Sequence, residues 1–122
     1  MIERTITGKI LSHMRDDPRF GSCAVEIKVA RGPTLYKGQL KEHQWRALTL
    51  AHTHVVYWKI GDGGYGQKPF DAFVLKKSDA YLVVYFEVKP KAEIWAISIE
   101  KISTGIPIGI NFARKEGVRV FL

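Results

Sequence analysis

The run Cys23-Ala-Val-Glu-Ile-Lys-Val29 narrows the choice of folds more than any other stretch of this chain. Its alternation has the period of a β-strand, so Val25, Ile27 and Val29 share one face while Glu26 and Lys28 share the other. The first face needs a core to cover it. The second sets an acid and a lysine among apolar neighbours, which costs free energy unless the charges are paired or put to use. Two readings of that pair stand open. A divalent metal would take the carboxylate as a ligand, with the ammonium steadying an attacking water or the charge on a scissile phosphate. Alternatively, this is a surface strand whose solvent face carries an ordinary ion pair.

The flanks of the strand predict how it is covered. Residues 2–14 read as a short helix with Ile2, Ile6, Ile10 and Leu11 (or Met14) on one stripe, stopped by Asp16-Asp17-Pro18. Gly21 leads into a strand over 22–30, and Gly32-Pro33 is a turn. A second helix is predicted over about 39–52, and His54 to Ile60 is strand-like from its β-branched and aromatic residues. Phe70–Leu75, Ala80–Val88 and Glu93–Ile99 read as three strands of a meander. The tail, 104–122, holds three more glycines, a proline and two short apolar runs, and is expected to cover the sheet or swap onto a partner. The order αβαββββ predicts an α/β (α+β) fold, a mixed central sheet flanked by helices.

At 122 residues the chain reads as one domain, 1–122, large enough for a core without disulfides. The lone Cys23 lies inside the apolar strand, which suits a small core residue in a reducing cytosol. No apolar run approaches the roughly 18 residues of a membrane span. Met1-Ile-Glu-Arg-Thr5 lacks the character of a signal peptide, so a cytoplasmic chain without a membrane partner is expected. Nineteen Lys and Arg against twelve Asp and Glu give a formal net charge of +7. That bias points to a polyanionic partner, nucleic acid above all, with a plain solubility charge as the alternative.

Chemistry-bearing residues cluster beyond the first strand as well. The stripe of the second helix runs Leu40, Ala47, Leu48, Ala51, and Gln44 falls within it. A carboxamide in such a stripe needs partners: either nearby backbone, or the Glu26/Lys28 face. Gly61-Asp-Gly63-Gly-Tyr-Gly66 matches G-x-G-x-x-G, but it runs into Lys68-Pro-Phe-Asp71 and a strand instead of opening a helix, which argues against a dinucleotide site. Asp62 or Asp71 would supply a second carboxylate. Glu87-Val-Lys89 repeats the acid-x-lysine spacing at a strand end, followed at once by Pro90 and Lys91. His13, His43, His52 and His54 show no zinc-ligand spacing.

The run Ala24 to Tyr36, leading into a helix and a strongly apolar strand, resembles the PD-(D/E)XK nuclease superfamily. It looks most like the Holliday-junction resolvases. Leu40-Lys-Glu-His-Gln44 is similar to the His-Gln helix of the resolvases of Gram-positive bacteria. Tyr57 to Asp62, Lys68 to Asp71 and Ala80 to Val84 look like small phage-encoded and bacterial relatives, and the resemblance covers about residues 20–100. It implies a restriction-endonuclease-like sheet and a Mg²⁺-dependent (or Mn²⁺-dependent) DNA endonuclease acting on branched DNA in recombination. Glu26 would be the metal-binding acid, Lys28 the lysine of the motif and Gln44 the helix residue near the site.

The family pattern also includes an Asp on the strand before the acid-x-lysine strand, usually with a Glu on the first helix. Only 25 residues precede Glu26, and they hold no second strand. Glu3 would then be the helical acid, with Asp16, Asp17 or an acid from elsewhere in place of the Asp. Asp71 is the preferred substitute, and Asp71 with Glu87 and Lys89 is the competing site. Arg31, Lys37, Lys41, His43, Arg46 and Lys68 would hold the DNA backbone, making affinity steeply salt-dependent. Cutting a two-fold-symmetric junction takes two active sites, so a homodimer is expected. The incomplete motif leaves two other classes open: a catalytically inactive nuclease-fold module that holds DNA or protein, and a structural or assembly protein of phage origin.

Overall fold

The computed structural model describes residues 2–54, 56–59, 71–75, 78–103 and 107–122. In chain order the elements are α1 (Ile2–Asp16), β1 (Cys23–Ala30), β2 (Thr34–Leu35), α2 (Glu42–Thr53), β3 (Val56–Lys59), β4 (Ala72–Leu75), β5 (Asp79–Phe86), β6 (Glu93–Ser98), β7 (Ile108–Gly109), α3 (Ile110–Glu116) and β8 (Val118–Val120). Short 3-10 turns occupy Lys37–Gln39 and Ile99–Lys101. The fold is mixed α/β, as the order of elements predicts.

β5 is the strand on which the rest is built. Ala80, Leu82, Val83, Val84 and Phe86 are all buried, so both of its faces are apolar, the signature of a central strand. β1 lies parallel to it, with Cys23 opposite Asp79 and Ala30 opposite Phe86. A parallel pair needs a long crossover, and α2 lies within it. β6 runs antiparallel on the other side of β5, and β8 antiparallel to β6, giving the order β1-β5-β6-β8. Two small antiparallel ribbons, β2 with β7 and β3 with β4, stand apart from this sheet.

Helices cover both faces. Ile6, Ile10 and Met14 of α1, four residues apart, pack on Ile27, Val83, Ile94, Ala96 and Val120. On the opposite face Leu48 and Ala51 of α2 pack on Ala80 and Ile99. Ile110 and Ala113 of α3 join Ala30, Leu82, Val84, Phe86 and Ile97 there.

The structure corrects the predicted meander. β5 and β6 are neighbours, but β4 pairs with β3, Val56 opposite Leu75, outside the main sheet. β5 is buried on both faces and takes β1 on its free side, so β4 has no place beside it. The second helix starts at Glu42 instead of 39, because Leu40 and Lys41 are extended (ψ 108° and 151°) between the 3-10 turn and the helix. The tail covers the sheet: α3 packs on it and β8 extends it. At their junction, a Cβ on Gly117 would stand 2.7 Å from Ala113 O, which only a glycine avoids.

Candidate functional site

The pleat of β1 sends Val25 and Ile27 to the α1 core and Ala24 and Ala30 to the α2 and α3 cores. Glu26 and Lys28 therefore point to the α2 face, opposite Leu82 and Val84 of β5. Among such neighbours the two charges find each other: Lys28 Nζ lies 3.8 Å from Glu26 Oε2. The lysine side chain is 14% exposed and the glutamate 30%, so the ammonium is the deeper charge and the carboxylate faces the opening.

Gln44 completes the cluster. Its Nε2 donates to Glu26 Oε2 at 3.3 Å, and its Oε1 accepts the Lys41 backbone N–H at 3.0 Å. The second bond is half of a capping box, which satisfies one of the open donors at the start of α2. It also orients the amide, so that Gln44 can only present its N–H to the carboxylate. Both partners that sequence offered for Gln44, local backbone and the Glu26 face, are used at once.

Gln39, which sequence reasoning passed over, repeats the device five residues earlier. Its Oε1 accepts the Tyr36 N–H at 3.0 Å, and its Nε2 donates to Val29 O at 3.1 Å. Two glutamines thus tie two successive helical starts to β1. The signal was present as a glutamine three residues after each N-cap, without the Ser or Thr that usually advertises one.

A groove of about 380 Å³ opens between β1 and α2, with Glu26, His43 and Gln44 at its polar part and Ala47 and Leu48 among its apolar walls. His43 is exposed at its rim, with Lys41 exposed just before α2 and Arg31 exposed just after β1. Arg46 is exposed too, but its Nη2 is held by Glu42 Oε1 at 2.9 Å. The side chain of Lys37 and the whole of Lys68 and Asp62 lie outside the described residues.

The other predicted acids are spread through the fold. Asp71 is exposed at the entrance to β4, in the separate ribbon. Asp16 is bonded to Arg15 and Asp17 to Arg19, and the Arg19 guanidinium holds the Asp17 carboxyl below its ordinary pKa. α1, which carries Glu3, packs on the face of the sheet opposite to Glu26. Glu87 and Lys89 are exposed beyond the end of β5. Among the described residues, no three His, Cys, Asp or Glu side chains gather in one place. Among them, too, no helix is long and apolar enough to cross a membrane.

A second charge cluster, unforeseen from sequence, lies at the far end of the sheet. Glu93 accepts bonds from Arg114 Nε at 3.0 Å and Trp95 Nε1 at 3.0 Å, with Arg119 Nη1 at 3.8 Å. The Arg114 bond, followed by the Trp95 bond and the charges of Arg114 and Arg119, outweighs burial and holds the Glu93 carboxyl down to about 2. Arg119 in turn lies over the rings of Trp95 and Phe121, at 5.4 and 5.0 Å.

Comparison of the chain with protein-family models, with curated proteins and with solved structures gives no match.

Proposed function

We propose that this protein is a Mg²⁺-dependent DNA endonuclease acting on branched or otherwise structured DNA, with Glu26 as its central acid. The observation that carries this reading is the convergence of Lys28 Nζ and Gln44 Nε2 on one oxygen of a carboxylate that is 30% exposed beside an open groove. Three side chains from two elements meet where sequence resemblance places the motif acid, its lysine and its helix residue.

The proposed ion asks for few protein ligands. Mg²⁺ keeps several waters and is held by one or two carboxylates together with substrate phosphates. Glu26 supplies one carboxylate, and Asp71 is the proposed second. When bound, the ion would polarise the phosphoryl oxygen and lower the pKa of a bound water. The chain's own groups do the rest. Gln44 fixes the Glu26 rotamer through its donated bond, and Lys28 sets a positive charge beside the phosphate. Arg31, Lys41 and His43 line the approach to the DNA backbone, and Lys37, Arg46 and Lys68 are proposed to extend it. The net charge of +7 favours that encounter. A symmetric four-way junction would be cut by a homodimer, in the cytoplasm.

The test is cleavage of four-way-junction, flap and linear DNA with Mg²⁺ or Mn²⁺, beside the Glu26→Ala protein. The expected result is junction or flap cleavage that falls at least about 100-fold in the variant, as when one charge-stabilising group is removed from an active site. Full activity in Asp71→Ala would remove Asp71 from the site while leaving Glu26 in it. Wild-type protein that binds DNA but never cuts would overturn the reading in favour of a DNA-binding module.

A further inference from the structure

Among the described residues β1 is paired on one side only. Ala30 O accepts the Glu87 N–H on the β5 side, and groups alternate along a strand, so Val25, Ile27 and Val29 turn their N–H and C=O outward. Eight residues without a proline or glycine make a long edge to leave without a strand partner among the described residues, with the Gln39 amide reaching its far end at Val29 O. An open groove flanks it on each face, about 380 Å³ against α2 and about 460 Å³ against α1, and Val25 lines both. Leu11, on the rim of the second groove, is 44% exposed.

The order of side chains along the edge selects what fits it. We propose that β1 pairs antiparallel with β1 of a second copy of this chain, about a two-fold axis through Ile27. In that register Ile27 faces itself, Val25 faces Val29 and Ala24 faces Ala30 of the second copy. Glu26 of each copy faces Lys28 of the other, on the α2 side of the joined sheet. Every outward N–H and C=O of Val25, Ile27 and Val29 gains a partner. Val29 O already accepts from Gln39 Nε2, and the ladder takes its second lone pair.

Neighbouring registers are worse for a specific reason. Sliding the copies by two residues one way sets Glu26 against Glu26, and the other way Lys28 against Lys28. Parallel pairing in register aligns like with like throughout. Directly opposed like charges destabilise a strand pair, and opposite ones stabilise it. An acid and a lysine two apart, equidistant from the axis, form a self-complementary pattern, as an isologous interface requires. The pairing stands whether or not the site cuts DNA. If it does cut, both copies of the Glu26 cluster lie on one face of an eight-stranded sheet.

The test is sedimentation equilibrium of the full chain without DNA, over a concentration series. Wild type is expected to be dimeric. Glu26→Lys and Lys28→Glu, shown folded by circular dichroism, each oppose like charges twice per dimer and should weaken association at least about tenfold. Mixed in equal amounts, the two variants place every acid opposite a lysine again, so dimers should return. A monomeric wild type overturns the proposal, and so do single variants that dimerise as well as wild type. A mixture of folded variants that stays monomeric overturns it too. The readout is mass, so its failure is distinct from a failure to cleave.

Discussion

β8 borders one edge of the four-stranded sheet with three residues, while β1 borders the other with eight. The short edge is fastened several times over. Glu93 on β6 holds Arg114 of α3 and Arg119 of β8, and Arg19 Nη2 donates to Arg119 O at 2.7 Å while Asp17 grips its guanidinium. The long edge carries a looser cluster, its contacts at 3.3 and 3.8 Å on a single Glu26 oxygen. Charges at the β8 edge are spent on the protein itself. Those at the β1 edge are held in position by fewer and longer contacts, with the Glu26 carboxylate 30% exposed beside a groove.

Removing one central acid at a time tests this contrast most sharply. Glu93→Ala leaves Trp95 Nε1 and the Arg119 guanidinium without their acceptor, and should cost about 1–3 kcal/mol in urea unfolding. Glu26→Ala should cost less, about 0.5–1.5 kcal/mol, because Lys28 and Gln44 lose a partner that stands at 3.8 and 3.3 Å beside an open groove. Equal costs would mean that the Glu26 cluster is structural as well, and the contrast would fail.

Gly117→Ala probes the fastened side by packing instead of charge. Its Cβ would press on Ala113 O at 2.7 Å and Ala96 O at 3.1 Å, both backbone atoms with little room to yield. A loss of about 1–2 kcal/mol is expected, in the range for overpacking, with α3 and β8 loosened together in hydrogen exchange.

Acid should reach the β8 edge before it reaches the core. The Glu93 carboxyl ionises at about 2 in the folded chain against an ordinary 4.5. Its folded pKa is depressed, so its contribution is complete above pH 4.5 and drains away as the pH falls from 4.5 toward 2. Urea midpoints measured across that window should decline in wild type and decline less in Glu93→Gln.

Gln44→Glu offers the smallest change and the finest one. A glutamate still accepts the Lys41 N–H, so the cap survives. It replaces an amide donor with a second carboxylate against Glu26, at a cost of about 0.5–1 kcal/mol for like charges set side by side. Calorimetry with Mn²⁺ should show tighter binding than in wild type. Unchanged affinity would detach the Glu26 cluster from metal binding.

Much of the half-open side was legible in sequence because its rules are local. The period of two in 23–29 separates Glu26 and Lys28 from Val25 and Ile27, and the stripe Leu48–Ala51 turns Gln44 inward. The fastened side was opaque because its partners are far apart in the chain. Nothing near Glu93 announces Arg114 and Arg119, and the glycine-bearing tail hid a seven-residue helix and a strand. The displaced β4 has the same origin. Four β-prone residues cannot reveal whether they will join the central sheet or pair with the strand before them. That choice was made by β5, whose two edges take β1 and β6.

The parallel pairing of β1 with β5 also sets a schedule for the ribosome. Cys23 meets Asp79, so each residue of β1 emerges 56 residues ahead of its partner on the only strand that pairs with it among the described residues. At about 5–20 residues per second, it waits for several seconds with its apolar face shielded by α1 at most. Throughout that interval Glu26 and Lys28 stand in the middle of a β-prone, otherwise apolar segment. Charges inside such a segment are the kind of gatekeeper that discourages strand-to-strand aggregation before the fold is complete.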